Sequence, residues 1–422
     1  MNPRDLILVP ALAAALATPA ATVAQQPPEP VIGLPRVPLA NLGTYESKKA
    51  DGKLLVASCT AFAAKLRAQL GERAGPVSPG SVIAVLHLLQ ACTDEGSAAQ
   101  VRRLLGLPDA LQGARLAAAL SWALPKDHQP TTKTTNTIWL DNGFQVPPAD
   151  VLEQARLLGA QVQAMDFSAD AERARRFINY QVAAATNGRI PELLDAGAVH
   201  DETSLVLTNT FWFQDRWAQC FPARDTAPRP FQLRSGASVE VPTMMASERF
   251  QYAETEAAQV VRLEFEGSSM VFEIVLPKGD ADVSEAVDAA EAAAFQRHPQ
   301  RNVELWLPKF RAGAKHDLSR ALRALGLPPT LTAAPGLVPA GKETLEVTAV
   351  VQQTWIEIDE DGAEAAAATA AVVRCAGLPV EDPSPQVTMR CDRPFAYSLR
   401  DGRTGLTWMS GTFEGPAAAP AR

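Results

Sequence analysis

Two stretches of this chain come close to spelling ligand-binding loops. Gly336-Leu-Val-Pro-Ala-Gly341-Lys342-Glu343 has the spacing of a phosphate loop, in which backbone N–H groups cradle phosphates and a lysine reaches the outer ones. The last position must carry a hydroxyl to hold Mg²⁺, whereas Glu343 would set a carboxylate beside phosphate, so a Gly/Pro surface loop is the better reading. Glu357-Ile-Asp359-Glu-Asp361-Gly362 begins like a calcium loop, but its twelfth position is Ala368 where a bidentate Glu is required. That stretch reads as a solvated acidic strand end. There is no Gly-x-Ser-x-Gly elbow and no His-Glu-x-x-His. None of His87, His128, His200, His298 or His316 stands in a signature that would activate a cysteine nucleophile, and each reads as a surface or packing histidine. The five cysteines, Cys59, Cys92, Cys220, Cys375 and Cys391, are odd in number and scattered, which is no disulfide framework. Nothing here spells an active site.

The elements that would position any site read as a mixed α+β chain. Helical spacing runs through Leu55, Cys59, Phe62, Leu66 and Leu70. Further helices are expected after Ser81, over Ser97–Leu105, Asp150–Leu158 and Asp170–Ala185, and over Leu318–Leu325. Strands are expected at Thr135–Leu140, Ser204–Phe213, Met270–Leu276 and Leu345–Ile358, with a closing hairpin of Phe395–Leu399 and Leu406–Phe413. Helices come early, strands late, and no linker divides residues 43–416, so one large domain is expected, followed by a short tail at 417–422. At the front, Arg4, the apolar run from Leu6 and the small residues Thr22-Val23-Ala24 read as a secretory signal over residues 1–24, with a proline-rich, unstructured leader over 25–42. The expected destination is secreted or periplasmic. The full 422 residues carry a net charge of −8 with dispersed Lys and Arg, which argues against nucleic acid as a partner. No segment after the signal is an uncharged apolar run long enough to span a membrane.

One segment is unlike the rest. Seven of the eleven residues from Ala363 to Val373 are alanine. Alanine favours helix, yet Pro379, Pro383 and Pro385 follow closely, no large apolar face exists, and strand regions flank the segment on both sides. As a strand it would show Ala363, Ala365, Ala367, Thr369 and Ala371 on one face, all small and uncharged, so that it could enter a sheet without clash or buried charge.

With this segment in view, the chain resembles the serpins over nearly its whole mature length. The order Ile358-Asp359-Glu360-x-Gly362-x-Glu364-Ala365-Ala366-Ala367-Ala368-Thr369 is similar to the hinge of inhibitory members. Thr208-Asn209-x-Phe211-x-Phe213 with Trp217 and Phe221 resembles the central strand and breach, and Thr226, Phe231 and Val241-Pro242-x-Met244-Met245 fit the stretch after it. Asn179, Val182 and Thr186-x-Gly188-x-Ile190 resemble the helix that crosses the main sheet. Leu307-Pro308-Lys309-Phe310, Asp317-Leu318, Leu325-Gly326, Asp392-x-Pro394-Phe395 and Gly411-x-Phe413-x-x-Pro416 follow in the family's order.

The resemblance implies helices packed around a large central mixed sheet and an exposed reactive-centre loop at about 360–394, its hinge formed by Glu360, Gly362 and the residues from Ala363 to Thr369. It implies that the protein is no enzyme but a suicide-type inhibitor of serine endopeptidases, monomeric and without cofactor or metal. A protease cleaves the loop and is trapped as an acyl-enzyme when the cut strand enters the sheet, an established case of strand addition and released strain. About 15 residues gaining ladder hydrogen bonds at roughly 1 kcal/mol each would release on the order of 10 kcal/mol. Counting seventeen residues from Glu360 places the reactive bond at Ala376–Gly377, which suits elastase-like proteases. The alternative is Arg374–Cys375, which suits trypsin-like enzymes and gives an insert two residues shorter.

For the shutter beneath the sheet the resemblance implies Ser78, Ser81 and Asn209, with Gln352 where a histidine is usual, and for the breach Trp217. The turn Ala91-Cys92-Thr93-Asp94-Glu95-Gly96-Ser97 departs from the family's Gly-rich pattern. Cys375 is open to three readings, as a reactive thiol, an inert one or a partner of Cys391. The rival within the fold is a non-inhibitory carrier or chaperone, disfavoured because its hinge would tolerate bulk and charge. A hydrolase using Cys375 rests on that thiol alone.

Overall fold

The computed structural model describes residues 45–71, 75–123, 132–144, 155, 160–279, 281–293, 298–334, 337, 344–363 and 386–416. Four helices open the chain: α1 Tyr45–Leu70, α2 Pro79–Ala91, α3 Glu95–Leu104 and α4 Gly113–Ala123. Strand β1 Thr132–Asp141 and β2 Ala160–Met165 follow, then α5 Ala171–Ala185, β3 Leu205–Phe213 and the two-residue β4 Asp215–Arg216. A strand-rich stretch comes next, with β5 Ala227–Gln232, β6 Ser238–Glu254, β7 Ala258–Glu264 and β8 Met270–Pro277. After α6 Val283–Ala293 come β9 Gln300–Pro308, β10 Phe310–Asp317, α7 Ser319–Ala324 and β11 Thr330–Thr332. The chain closes with β12 Thr344–Ile358, β13 Gly362–Ala363, β14 Val387–Arg390, β15 Phe395–Asp401 and β16 Thr407–Phe413.

The expected strands and most expected helices are present, within a few residues at their ends. Of the helix expected at Asp150–Leu158 only Ala155 is described, and it is helical. Helices α4 and α6 and the strands between 227 and 264 and between 300 and 317 complete the fold beyond the periodicities singled out from sequence. The turn before α3 departs from the family's pattern yet has a local device of its own. Asp94 caps the helix by accepting from the Ser97 N–H at 2.8 Å.

Two mixed sheets organise the molecule. In the first, the order is β2-β1-β3-β12, with β10 on the far edge of β12 and the short β13 and β4 at one end. Strands β3 and β12 pair in parallel, from Val347 opposite Leu205 to Trp355 opposite Trp212. They lie more than 130 residues apart in the chain, and all their other described neighbours are antiparallel. Strand β3 is buried along its entire length, its apolar ends flanking the polar centre Thr208-Asn209-Thr210. One face of this sheet meets the main core, where α2 lies almost wholly buried. The other face carries α5, whose Ile178 and Val182 pack with Trp139, Val206, Ala349 and Val351. The second sheet runs β14-β9-β6-β7-β8-β15-β16, with β5 on β6.

Candidate functional site

The hinge begins in a tight reversal at the end of β12. The Asp359 carboxylate accepts from the N–H groups of Asp361 and Gly362 at 2.9 and 3.1 Å, and the Asp359 N–H donates to the Gly362 carbonyl at 3.0 Å. This turn sends Gly362 and Ala363 back between two strands: Ala363 pairs with Ile358 of β12 and Asp215 of β4, and Gly362 with Arg216. Glycine is demanded here by close approach. A Cβ on Gly362 would run into the Asp215 carbonyl oxygen and come within 2.8 Å of the Arg216 Cα. Ala363 is fully buried. Glu364, Ala365, Ala366, Ala367, Ala368 and Thr369 lie outside the described residues, as do both candidate reactive bonds, Ala376–Gly377 and Arg374–Cys375.

Glu360 is held from two sides. The Lys309 ammonium lies 2.5 Å from Oε2, and the Thr226 hydroxyl donates to Oε1 at 2.8 Å. Burial pushes the Glu360 carboxyl upward, but the Lys309 hydrogen bond, a backbone N–H and the Thr226 hydroxyl together outweigh it and hold the group below its ordinary range. Asp359 behaves in the opposite way, since burial raises it and the two turn N–H groups offset that only in part. Glu357 is paired with Arg311 at 2.7 Å, and Asp359 serves the turn, so these acidic side chains have structural partners.

Trp217 sits against this turn. Its indole N–H donates to the Asp359 carbonyl at 2.9 Å and its backbone N–H to the Asp361 carbonyl at 3.0 Å. The ring stacks on Phe265 with centroids 4.6 Å apart and is buried. Four residues on, the Phe221 N–H donates to the Glu360 carbonyl at 3.1 Å. The segment Trp217–Phe221 is thereby fastened along the first residues of the hinge.

The residues assigned to the shutter also meet, at the middle of the β3–β12 pair. Gln352 and Asn209 are directly opposed in register, as are Asn209 and Asn136 of β1. Gln352 grips the start of α2 with both ends of its amide: Oε1 accepts from the Ser78 N–H at 2.8 Å and Nε2 donates to the Ser78 carbonyl at 3.0 Å. The same Nε2 donates to Asn209 Oδ1, whose own Nδ2 donates to Asn136 Oδ1. Ser78 and Ser81 hydroxyls lie 2.6 Å apart, and Ser78 also donates to the Trp408 carbonyl. All five side chains are buried and mutually satisfied.

Sequence reasoning gave Asn136, Lys309, Thr226 and His316 no role in this site. Asn136 stood in a strand already recognised, so an Asn amid Thr and Ile was the available signal. Lys309 and Thr226 stood in quoted motifs, but their shared partner is 51 residues from one and 134 from the other. His316 is opposite Gln352 on the neighbouring strand and bonds the Pro76 carbonyl at 2.9 Å through Nε2, beside the Thr354 hydroxyl on the same oxygen. Burial lowers its basicity. A histidine therefore does stand at this level of the sheet, one strand over from Gln352. The reading of Cys375 as a partner of Cys391 is overturned, because Cys391 is a free thiol, fully buried and raised well above its ordinary range by that burial. Cys59 is also a free, buried thiol and Cys92 is buried outside any disulfide, whereas Cys220 is disulfide-bonded. Among the described residues no group of three or more His, Cys, Asp or Glu is placed to hold a metal ion.

Comparison with known proteins accounts for this architecture. Residues 57–416 match the family model described as serpin (serine protease inhibitor). The chain is 31% identical to mouse antithrombin-III over 252 residues, which are 58% of this chain and 53% of that protein, so it spans about half the length of the antithrombin it matches. It is 28% identical over 382 residues to an uncharacterised serpin-like protein of Thermococcus kodakarensis, covering 87% of each, and 26% identical to horse leukocyte elastase inhibitor, covering 81% of this chain and 92% of that one. The crystal structure of Serpin48 from the insect Tenebrio molitor superposes with a TM-score of 0.74 at 24% identity over 89% of this chain and all of that one, a likeness of fold. The relatives include one named leukocyte elastase inhibitor, and the family model covers most of the sequence: the chain belongs to the serpin family.

Proposed function

We propose that this serpin is an exported, monomeric suicide inhibitor of serine endopeptidases. The observation that carries the reading is the placement of Gly362 and Ala363. They already form a strand between β12 and β4, at the head of the parallel β3–β12 pair and immediately before the alanine-rich segment. A strand continuing from Ala363 runs antiparallel to both β3 and β12. It would replace one parallel ladder by two antiparallel ones, which are slightly more stable per residue. From Ala363 to Ala376 is thirteen residues, on the order of 40 Å as a strand, enough to run the length of β3.

The chemistry belongs to the target. The protease serine attacks the Ala376 carbonyl, the Gly377 amine leaves, and the ester persists if the freed segment enters the sheet before water arrives. Ala376 favours elastase-like enzymes, and the relative named leukocyte elastase inhibitor supports that choice. Export rests on the signal-like residues 1–24. The test is incubation of the purified protein with elastase and with trypsin, followed by denaturing gels and mass spectrometry of the released peptide. A complex stable to denaturant, with a peptide beginning at Gly377, is expected with elastase. Cleavage without a complex by both enzymes sinks the inhibitory reading and leaves a carrier.

A further inference from the structure

Arg229 of β5 and Arg390 of β14 close on one indole of the second sheet. The Arg229 Cζ lies 4.0 Å from the centroid of the Trp306 ring and the Arg390 Cζ 5.7 Å from it. Both arginines are exposed, and neither forms an ion pair among the described residues. Trp306 is half-buried, and its indole N–H donates to Glu304 at 2.8 Å on the same strand. We propose that Arg229, Trp306 and Arg390 form a secondary contact for the target protease, one that takes a carboxylate-rich loop on that enzyme's surface. The proposal rests on the inhibitory reading above and adds which proteases the inhibitor favours.

Local structure holds both cations in place. Strand β5 begins Ala227-Pro-Arg-Pro-Phe231 and is an edge, paired among the described residues with β6 alone. Proline at 228 and 230 removes two backbone donors, so this edge is a poor template for another strand and recognition there falls to side chains. Arg390 is directly opposite Trp306 in the parallel β14–β9 ladder, and the next residue, Cys391, donates its N–H to the Trp306 carbonyl at 2.9 Å. The two arginine-bearing segments are fastened to each other by the Gln232 N–H, which donates to the Asp392 carbonyl at 2.7 Å. A guanidinium stacked on an indole keeps its in-plane N–H groups for an acceptor, and that fork fits a carboxylate bidentately. Held flat beforehand, it loses less freedom on binding, and arginine and tryptophan are where interface energy concentrates.

The place of this cluster in the chain names the partner. Arg390 is thirteen residues beyond Gly377, at most about 45 Å of chain. A serine protease of about 230 residues is itself roughly 45 Å across, so an enzyme seated on the Ala376–Gly377 bond is within reach of this face. The chain as a whole carries a net charge of −8, which repels an acidic enzyme. Two arginines without ion pairs, soon after the reactive segment in the chain, reverse that sign where the enzyme must approach. Complementarity of this kind raises the rate of encounter more than the final affinity.

The experiment compares anionic with cationic trypsin, which share one specificity and differ in surface charge. It uses the full-length protein carrying Ala376→Arg, so that both enzymes are offered the same bond. The readout is the second-order rate of attack within residues 374–377, counted as complex plus cleaved chain. Arg229→Gln with Arg390→Gln should slow anionic trypsin about fivefold or more at about 50 mM salt and flatten the dependence of that rate on salt up to about 300 mM, leaving cationic trypsin within about twofold. Arg229→Lys with Arg390→Lys should recover only part of the rate, because lysine keeps the charge and loses the fork. An unchanged rate with anionic trypsin overturns the proposal, and so does an equal loss with both enzymes, which would mean a disturbed reactive segment. A glutamine pair that loses affinity for immobilised heparin while both trypsin rates hold assigns the arginines to a sulfated polysaccharide and likewise overturns it. If attack ends only in cleavage and never in a complex, the inhibitory reading fails, while the difference between the two trypsins still decides the contact.

Discussion

At the scale of single residues, Gln352 is the side chain on which the line between β3 and β12 depends. Its amide holds both backbone groups of Ser78 and reaches across that line to Asn209, and it is fully buried. Any strand entering between β3 and β12 must break the Gln352–Asn209 bond. Truncation would leave the Ser78 N–H and carbonyl and the Asn209 carbonyl oxygen buried without their partner, at about 1–3 kcal/mol for each orphaned group, less any relaxation. Gln352→Ala should lower unfolding stability by about 2–4 kcal/mol in urea titrations, and an unchanged midpoint would show that the amide is dispensable. Glu360 allows a test by pH. Its folded pKa lies below the unfolded value, so its contribution is present above about pH 4 and fades as pH falls through the folded pKa. Asp359, raised by burial, works in the opposite sense over the same acid range, which makes a variant of Glu360 alone the clean probe. Glu360→Gln should cost about 1–2 kcal/mol at pH 7, the lower end reflecting the partial exposure of Lys309. The difference from the parent should close below pH 4, read as urea midpoints across pH 3–7.

At the scale of elements, the demands on the alanine-rich segment come from what surrounds its proposed path. On one side α2 and the buried serines close off the sheet, and on the other α5 lies over Val206, Ala349 and Val351. Helix α5 is tied at its middle by Asn179, which accepts from the Leu193 and Leu194 N–H groups and donates to the Leu194 carbonyl. A strand passing beneath this helix has room only for small side chains without charge. Thr369→Arg should therefore leave folding and cleavage intact while converting the inhibitor into a substrate. The number of inhibitor molecules consumed per elastase trapped should rise at least tenfold. A variant that traps elastase as economically as the parent would show that this position does not enter the sheet.

For the whole molecule, the parallel β3–β12 pair marks a sheet that can still gain a strand. If insertion adds on the order of 10 kcal/mol, cleavage within residues 374–377 should raise the thermal midpoint by 10 °C or more, given the one or two degrees per kcal/mol expected for a domain of this size. A cleaved chain that melts with the intact one would contradict an inserting sheet. Much of this molecule was legible in its sequence because the signals are local. The helical spacing from Leu55 to Leu70, the mostly apolar length of β3 and the small face of residues 363–371 each follow from backbone periodicity and side-chain size, which a linear reading captures. The ordered motifs likewise named the family. What only the tertiary structure decided are pairings between distant points of the chain. Lys309 and Thr226 converge on Glu360, His316 stands beside Gln352 on the next strand, Asn136 extends the polar row across β1, and Cys391 is sealed away while Cys220 is bonded. Such contacts depend on the placement of segments dozens to hundreds of residues apart, and for Asn136 and His316 a one-residue slip in strand register would turn the side chain to the opposite face.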